Sequence, residues 1–221
     1  MALITDRKEL RRAALEFFMG EEVLRFGDFT LKSGRKSPYF FNTGLLCSGR
    51  QLAMMGRLYA SMIAITEEFN QASIIFGSAY KGIPIAVATA TAFAGTGNED
   101  IRAISDRKEA KMHGDKSSFL GRIEPGDKAI IVDDVITDGA TKMEALAKLR
   151  EAEVEPLALV IAFDRQEPAD ETGITAVDRF KEKSGVQVYS LLSIGDVIEE
   201  RPDLAERLQH HLKSFEVQEN S

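Results

Sequence analysis

One stretch, residues 129–141 (AIIVDDVITDGAT), restricts the folds open to this chain more than any other. It begins with four apolar residues, and a run this short that is apolar throughout predicts a strand buried on both faces, as in a parallel sheet. Asp133 and Asp134 follow, then a polar turn at Thr137 and Gly139, then residues 142–149 with helical composition. This order of strand, acidic pair, glycine turn and helix predicts an α/β fold.

The same stretch predicts a ligand site. In open α/β sheets ligands bind beyond the carboxyl ends of the strands, and free N–H groups at a helix start attract an anion. Because carboxylates repel phosphate, hydroxyl groups or a metal ion are the expected partners of Asp133 and Asp134. A ribose 5-phosphate offers both a diol and a phosphate. A P-loop is excluded because its glycine-lysine pattern does not occur, and an EF-hand because Ala145 stands where its glutamate is required. The alternative is a turn whose acids merely cap the helix.

Length and charge limit the class of protein. The 221 residues suit one α/β domain, and the net charge of −7 argues against nonspecific binding to nucleic acid. A single cysteine, Cys47, excludes an internal disulfide framework and a cysteine-based zinc site. No apolar run approaches the roughly 20 residues that span a bilayer, and residues 1–12 lack the apolar core of a secretory signal. We therefore expect no membrane segment and a cytoplasmic location.

Strand patterns alternate with helix patterns, which predicts a mainly parallel sheet with right-handed crossovers. Helices are predicted at residues 6–19, 21–26, 48–69, 83–94, 171–184, 194–200 and 204–212. Further strands are predicted at residues 29–31, 74–77, 101–105, 156–163 and 186–191.

Two basic segments have a structural and a functional interpretation. Residues 32–38 (KSGRKSP) precede Tyr39, Phe40 and Phe41. They fit a β-hairpin with a solvated turn, or an aromatic shelf beside cations that suits a flat anionic ring. Residues 106–121 form a long polar connection, which is typical of a functional lid or a linker. The cationic residues of this connection form either a solvated charge run or a site for pyrophosphate. They are Arg107, Lys108, Lys111, His113 and Lys116.

Five segments together resemble one family: LKSGRKSPYFF, GSAYKGIP, RKEAKMHG, IVDDVITDGAT and FDRQE. Over nearly its whole length the chain is similar to bacterial-type orotate phosphoribosyltransferases, which are type I phosphoribosyltransferases. The resemblance implies a single domain, residues 1–221, with a mainly parallel sheet flanked by helices and a small N-terminal hood contributed by about residues 1–45. It implies transfer of the 5-phosphoribosyl group from 5-phosphoribosyl 1-pyrophosphate (PRPP) to orotate, giving orotidine 5′-monophosphate and pyrophosphate in pyrimidine (UMP) biosynthesis. It also implies Mg²⁺ held mainly through PRPP and water, and a homodimer whose mobile loop reaches the partner's active site.

The resemblance assigns roles to residues. Asp133 and Asp134 are expected to accept hydrogen bonds from the ribose hydroxyls, and Lys111 to neutralise the leaving pyrophosphate, which makes these three the expected catalytic residues. The expected PRPP contacts are Tyr80, Lys81, Arg107, Lys108, Lys111, His113, Asp133, Asp134, Val135, Ile136, Thr137, Asp138, Gly139, Ala140 and Thr141. The expected orotate contacts are Lys32, Phe40, Phe41, Thr137 and Arg165, with the two phenylalanine rings forming a shelf and Arg165 pairing with the carboxylate.

The phosphate loop departs from the family's common Thr-Ala-Gly-Thr pattern. Asp138 and Ala140 replace an alanine and a threonine, and we predict that the Asp138 side chain points away from the phosphate. Two alternatives to orotate transfer remain at this point: a phosphoribosyltransferase for another base, and a PRPP-sensing regulator without turnover.

Overall fold

The computed structural model describes residues 2–31, 34–107, 118–137, 139–169 and 173–216. Its helices are α1 (Arg7–Gly20), α2 (Gly49–Ala64), α3 (Gly82–Ala92), α4 (Ala140–Glu151), α5 (Ala176–Ser184), α6 (Ile194–Glu200) and α7 (Pro202–Glu216). Its strands are β1 (Leu24–Thr30), β2 (Lys36–Phe41), β3 (Ile74–Gly77), β4 (Arg102–Asp106), β5 (Phe119–Leu120), β6 (Lys128–Asp133), β7 (Glu155–Asp164) and β8 (Gln187–Ser193).

The main sheet has the strand order β5-β4-β3-β6-β7-β8. Its strands pair in parallel except for β5, which runs antiparallel to β4. The predicted central strand is confirmed, since every residue from Ala129 to Val132 is fully buried. Ile130 and Val132 face a core shared with α1, α2 and α3, whereas Ala129 and Ile131 face a second core shared with α4 and α5. Burial on both faces explains the unbroken apolar run.

A separate antiparallel hairpin is formed by β1 and β2. The helix predicted at residues 21–26 is wrong, because β1 begins there at Leu24. Glu22 has a φ of 57°, a left-handed conformation that ends the preceding helix. Leu24 and Phe26 then pair with Phe41 and Tyr39 across the hairpin, so strand pairing decides the conformation. The hood boundary near residue 45 stays a prediction.

Other elements were predicted with displaced ends. Helix α2 begins after Ser48, which forms a capping box with Gln51, but it ends at Ala64, and a 3₁₀ turn covers Glu67–Phe69. Helix α5 begins at Ala176, where the Thr175 side chain accepts a hydrogen bond from the Asp178 N–H group. The short β5 was not predicted, since two residues cannot carry a periodic pattern. Among the described helices, none is both long and apolar enough to cross a bilayer.

Candidate active site

The carboxyl ends of the parallel strands β3, β4, β6 and β7 meet at one edge of the sheet, where ligands bind in folds of this kind. Polar and charged residues lie at or directly after these ends. Asp106 ends β4, Asp133 ends β6 and Asp164 ends β7, while Ser78 follows β3. The predicted ligand edge is therefore lined by the segments that the sequence singled out.

Each acid of the pair at the end of β6 is neutralised by its own lysine. Asp133 Oδ2 lies 2.7 Å from Lys142 Nζ, and Asp134 Oδ2 lies 2.6 Å from Lys81 Nζ. The Oδ1 atoms accept backbone hydrogen bonds of 2.8 Å, from the Asp134 N–H to Asp133 and from the Val135 N–H to Asp134. Both carboxylates are buried and satisfied, so neither acid caps helix α4.

The two acids differ in their electrostatic surroundings. Burial raises the pKa of Asp133 above its ordinary value, and the charge of Lys142 offsets only part of that cost. Burial also disfavours the Asp134 carboxylate, but the hydrogen bond and charge of Lys81 outweigh it, and the pKa of Asp134 is lowered. The carboxylate that stays ionised most readily is thus the one whose lysine is half exposed.

The backbone of the acidic pair is held from several sides. The Tyr59 hydroxyl donates to the Asp133 carbonyl at 2.7 Å. The Asp134 carbonyl accepts from the N–H groups of Ala162 and Phe163 on β7. The Thr43 hydroxyl, from the turn after the hairpin, donates to Asp134 Oδ2 at 3.3 Å. These contacts fix where the carboxylates point.

Sequence reasoning missed Lys142, Tyr59 and Thr43. Lys142 gave one signal, a lysine in the first turn of a helix that follows two acids. Tyr59 and Thr43 gave none, because their distances from the pair along the chain carry no pattern.

The turn before α4 has the geometry of a phosphate site. Gly139 has a φ of 76°, which favours glycine, and α4 begins directly after it at Ala140. Gly139, the N-cap residue, has no side chain to cap this helix start, and the first turn of a helix favours an anion. Thr137, Ala140 and Thr141 are exposed there, whereas Ile136 is buried in the core and can offer only its backbone. Asp138 lies outside the described residues, and its outward orientation stays a prediction.

The loop after β3 carries Tyr80 and Lys81 and is tied to β4. The Ala79 N–H donates to Asp106 Oδ1 at 2.8 Å, and Lys148 Nζ of α4 donates to Asp106 Oδ2 at 2.7 Å. Asp106 is buried, whereas the Tyr80 side chain is 70% exposed at the rim. Asp106 thereby links the loop of Lys81, the end of β4 and helix α4, a role that the sequence did not reveal.

The two ends of the long polar connection lie side by side. The Arg107 N–H donates to the Ser118 carbonyl at 2.8 Å, and its Nε donates to the Phe119 carbonyl at 3.1 Å. These bonds continue the β4–β5 pairing and bring the base of the connection to the ligand edge. Lys108, Lys111, His113 and Lys116 lie outside the described residues, so their roles stay predictions.

The two rings of the predicted aromatic shelf have different neighbours within the protein. The Phe40 ring packs against Phe29, and the Arg25 guanidinium lies 5.4 Å from its centroid. The Phe41 ring stacks on Phe163 at 4.9 Å. Successive residues of a strand point to opposite faces, so the two side chains leave β2 on different sides. Phe41 lies beside the end of β7, and the contact of either ring with orotate stays a prediction.

Arg165 lies directly after β7 and pairs within the protein. Its Nη2 and Nε donate to the two carboxylate oxygens of Glu167 at 2.9 and 3.2 Å, and its guanidinium lies 4.9 Å from the Tyr39 ring centroid. Lys32, the other predicted cation for orotate, lies outside the described residues.

Comparisons with known proteins agree with this geometry. A family profile described as the phosphoribosyl transferase domain matches residues 53–193. The chain is 42% identical over 204 residues to an orotate phosphoribosyltransferase of Salmonella typhi, covering 91% of this chain and 94% of that protein.

Solved structures agree with these sequence matches. A crystal structure of orotate phosphoribosyltransferase from Francisella tularensis superposes with a TM-score of 0.80 and 33% identity, covering 90% of this chain and 97% of that one. UMP synthase from Leishmania donovani matches at a TM-score of 0.66 and 26% identity, covering 94% of this chain and 41% of that one. Profile, sequence and structure agree, and the chain belongs to the phosphoribosyltransferase family, as one of its orotate phosphoribosyltransferases.

Proposed function

We propose that this site binds PRPP over the turn after β6 and transfers its 5-phosphoribosyl group to orotate. The observation that carries the proposal is the pair of buried, lysine-neutralised acids that is followed by the glycine turn and the start of helix α4. The acids suit hydroxyl donors, and the helix start suits a phosphate. Both halves of a ribose 5-phosphate are matched within nine residues, 133–141.

The acids and their lysines would act differently when PRPP binds. Lys142 is nearly buried, with 11% of its side chain exposed, and stays on Asp133. The Lys81 side chain is 56% exposed, so it can turn from Asp134 to the pyrophosphate. That movement frees Asp134 Oδ2 to accept a hydrogen bond from a ribose hydroxyl. Lys142 thereby keeps Asp133 in place, while Lys81 leaves Asp134 and pairs with the pyrophosphate of PRPP.

The reaction separates charge, and the site is built for the separated state. The orotate ring nitrogen attacks the anomeric carbon, and the C–O bond to pyrophosphate breaks with its electron pair leaving on the pyrophosphate. Asp133 and Asp134 favour the positive charge that develops on the ribose, while Tyr80, Lys81, Arg107 and the predicted Lys108, Lys111 and His113 favour the leaving group. Each charge-assisted hydrogen bond made only in the transition state contributes about 1.5–3 kcal/mol, or roughly ten- to a hundredfold in rate. No covalent enzyme intermediate is required.

Orotate would lie between the hairpin and the end of β7. Phe41 and Arg165 flank that region, and Arg165 offers two parallel hydrogen bonds to the orotate carboxylate. Lys32, Phe40 and Thr137 complete the predicted contacts.

Mg²⁺ fits this site as a partner of the substrate. In the described ranges no group of three His, Cys, Asp or Glu side chains could form a dedicated metal cage. Mg²⁺ commonly binds through substrate phosphates, waters and one or two carboxylates, so PRPP oxygens would hold it beside Asp133 and Asp134. When bound it would neutralise charge on the pyrophosphate.

A turnover assay tests the function. Purified protein is incubated with orotate, PRPP and Mg²⁺, and orotate loss is followed by ultraviolet absorbance. We expect turnover with orotate and its loss in Asp134→Asn. Turnover only with a different base would support a phosphoribosyltransferase of other specificity, and PRPP binding without turnover would support a sensor.

We further propose a cytoplasmic homodimer whose subunits share the connection between β4 and β5. Lys111→Ala should lower turnover strongly with little effect on folding. Mixing Lys111→Ala with Arg165→Ala protein should restore part of the activity, because heterodimers would contain one site with both residues intact. Heterodimers without recovered activity would contradict the sharing.

A further inference from the structure

Glu167 is a buried carboxylate at which three separate segments converge. Only 3% of its side chain is exposed. Besides Arg165, it accepts a 2.5 Å hydrogen bond from the Tyr39 hydroxyl of β2 and lies 3.0 Å from His211 Nε2 of α7. Arg35, just before β2, forms a further ion pair with it. Burial of a carboxylate is costly even when it is paired, so the position of Glu167 indicates a functional role.

The pairing leaves part of the Arg165 guanidinium unused by Glu167. Glu167 takes the Nε and Nη2 nitrogens, which form one edge of the planar group. Arginine carries five N–H donors, and its other edge, Nη1 with the second hydrogen of Nη2, has the same spacing for a carboxylate. A guanidinium held on one edge is therefore pre-oriented to bind a second carboxylate on the other.

The charges at this cluster point the same way. Burial alone disfavours the Glu167 carboxylate, but the His211 hydrogen bond and the charge of Arg165 lower the pKa of Glu167 to about 2. One ionised carboxylate thus faces two guanidinium groups, those of Arg35 and Arg165. The cluster has an excess positive charge, which an anionic substrate group can balance.

Apart from Arg165, the partners of Glu167 come from parts of the chain outside the residues that the family profile matches. The phosphoribosyl transferase profile covers residues 53–193, which include Arg165 and Glu167. Arg35 and Tyr39 precede that range and His211 follows it. The Tyr39 ring also packs edge-on against His211 at 6.0 Å, and Arg35 lies 5.0 Å from the Phe215 ring centroid. The hairpin and α7 are therefore both anchored beside the arginine proposed to select the base.

From this geometry we propose that Glu167 is a positioning residue for base selection. Glu167 is held in place by the hairpin and α7, and it binds one edge of the Arg165 guanidinium. The other edge of Arg165 is thereby directed toward the orotate carboxylate. The inference rests on the proposed function and adds a residue that does not itself touch orotate.

The primary test is Glu167→Gln, which keeps the shape of the side chain and removes its charge. We expect the KM for orotate to rise about tenfold or more, in line with the loss of one charge-assisted contact, while the KM for PRPP stays unchanged. Tyr39→Phe, which removes a single hydrogen bond, should shift the orotate KM in the same direction by a smaller factor, and it serves if Glu167→Gln fails to fold.

A purely structural role predicts a different result. Asp127 is a matched control: it is a partly buried carboxylate paired with Arg102 and Ser73 at the opposite end of the sheet. Asp127→Asn should lower stability without raising the orotate KM. In an Arg165→Ala background, Glu167→Gln should add little to the orotate KM, because Glu167 acts through Arg165. Independent, multiplying effects, or an equal rise in the KM for PRPP, would overturn the proposal. Wild-type protein without orotate turnover would instead refute the proposed function.

Discussion

Two lysines pair with Asp133 and Asp134, and the more deeply buried one, Lys142, should contribute more to stability. Lys142→Met keeps most of the side chain's apolar volume but removes the cation 2.7 Å from Asp133. The exposed fractions of these two side chains are 11% and 7%, so water cannot replace the lost partner. Removing one member of a buried ion pair typically costs about 3–5 kcal/mol. For a chain of this size that corresponds to a fall in Tm of roughly 6–20 °C.

Lys81→Met provides the matched comparison. Its ion pair with Asp134 is equally short, but the lysine is 56% exposed. Exposed pairs contribute about 0–1 kcal/mol, so this variant should lose little stability even though both lysines contact neighbouring acids. The double variant Lys142→Met/Asp133→Asn should recover much of the loss, because it leaves no buried charge without a partner.

Urea unfolding followed by circular dichroism measures these differences. The pKa of Asp133 is already raised by burial, and losing Lys142 raises it further. When the pKa of an acid is higher in the folded than in the unfolded state, the protonated acid favours folding. That contribution is complete below the unfolded-state pKa, about 3.9, and is lost as pH rises through the folded-state pKa. The deficit of Lys142→Met should therefore widen from acid to neutral pH. A Lys142→Met protein within about 1 kcal/mol of wild type at pH 7 would refute the reasoning.

Three further predictions follow from other contacts. The pKa of Glu167 is lowered to about 2, so its ionisation should add roughly 3 kcal/mol to the free energy of unfolding above pH 4.5, and this contribution should be lost as pH falls through 2. Urea titrations at acid pH compare wild type with Glu167→Gln. A difference in their unfolding free energies that does not shrink in acid would contradict this. Gly56→Ala would place a Cβ 2.2 Å from the Ala88 carbonyl oxygen between α2 and α3, so thermal unfolding should show a loss of about 1–3 kcal/mol or more, and an unchanged Tm would contradict the packing. Asp106→Asn should weaken PRPP binding more than orotate binding in calorimetric titrations, since Asp106 holds the loop that carries Lys81; equal weakening would argue against that role.

The proposed role of Asp133 and Asp134 explains why two buried carboxylates are kept although their burial costs stability. Two ionisable groups buried at one strand end, each requiring a lysine, are weak evidence for stability in their own right. Local rules are commonly broken at functional sites. Asp133 and Asp134 fit that pattern, because the same carboxylates that cost stability in the free protein are those proposed to receive the ribose hydroxyls.

The local pattern of the chain determined much of this protein. The apolar run at residues 129–132 requires burial on both faces, and the glycine and acids after it place a ligand turn at a strand end. Those features depend on neighbours a few positions apart, so periodicity and turn chemistry reveal them. The predicted helix at residues 21–26 failed because a partner strand 15 residues away competes for the same backbone.

Long-range packing decided the rest. The distance from Lys81 to Asp134, the burial of Lys142, and the meeting of Arg35, Arg165 and His211 at Glu167 depend on how strands and helices are arranged in space. A charge in the sequence does not disclose its partner, because electrostatic pairing depends on separation in space and on exclusion of water. The sequence therefore predicted which residue types form the site. The tertiary structure decided which charged side chains are available to a substrate and which pair within the protein.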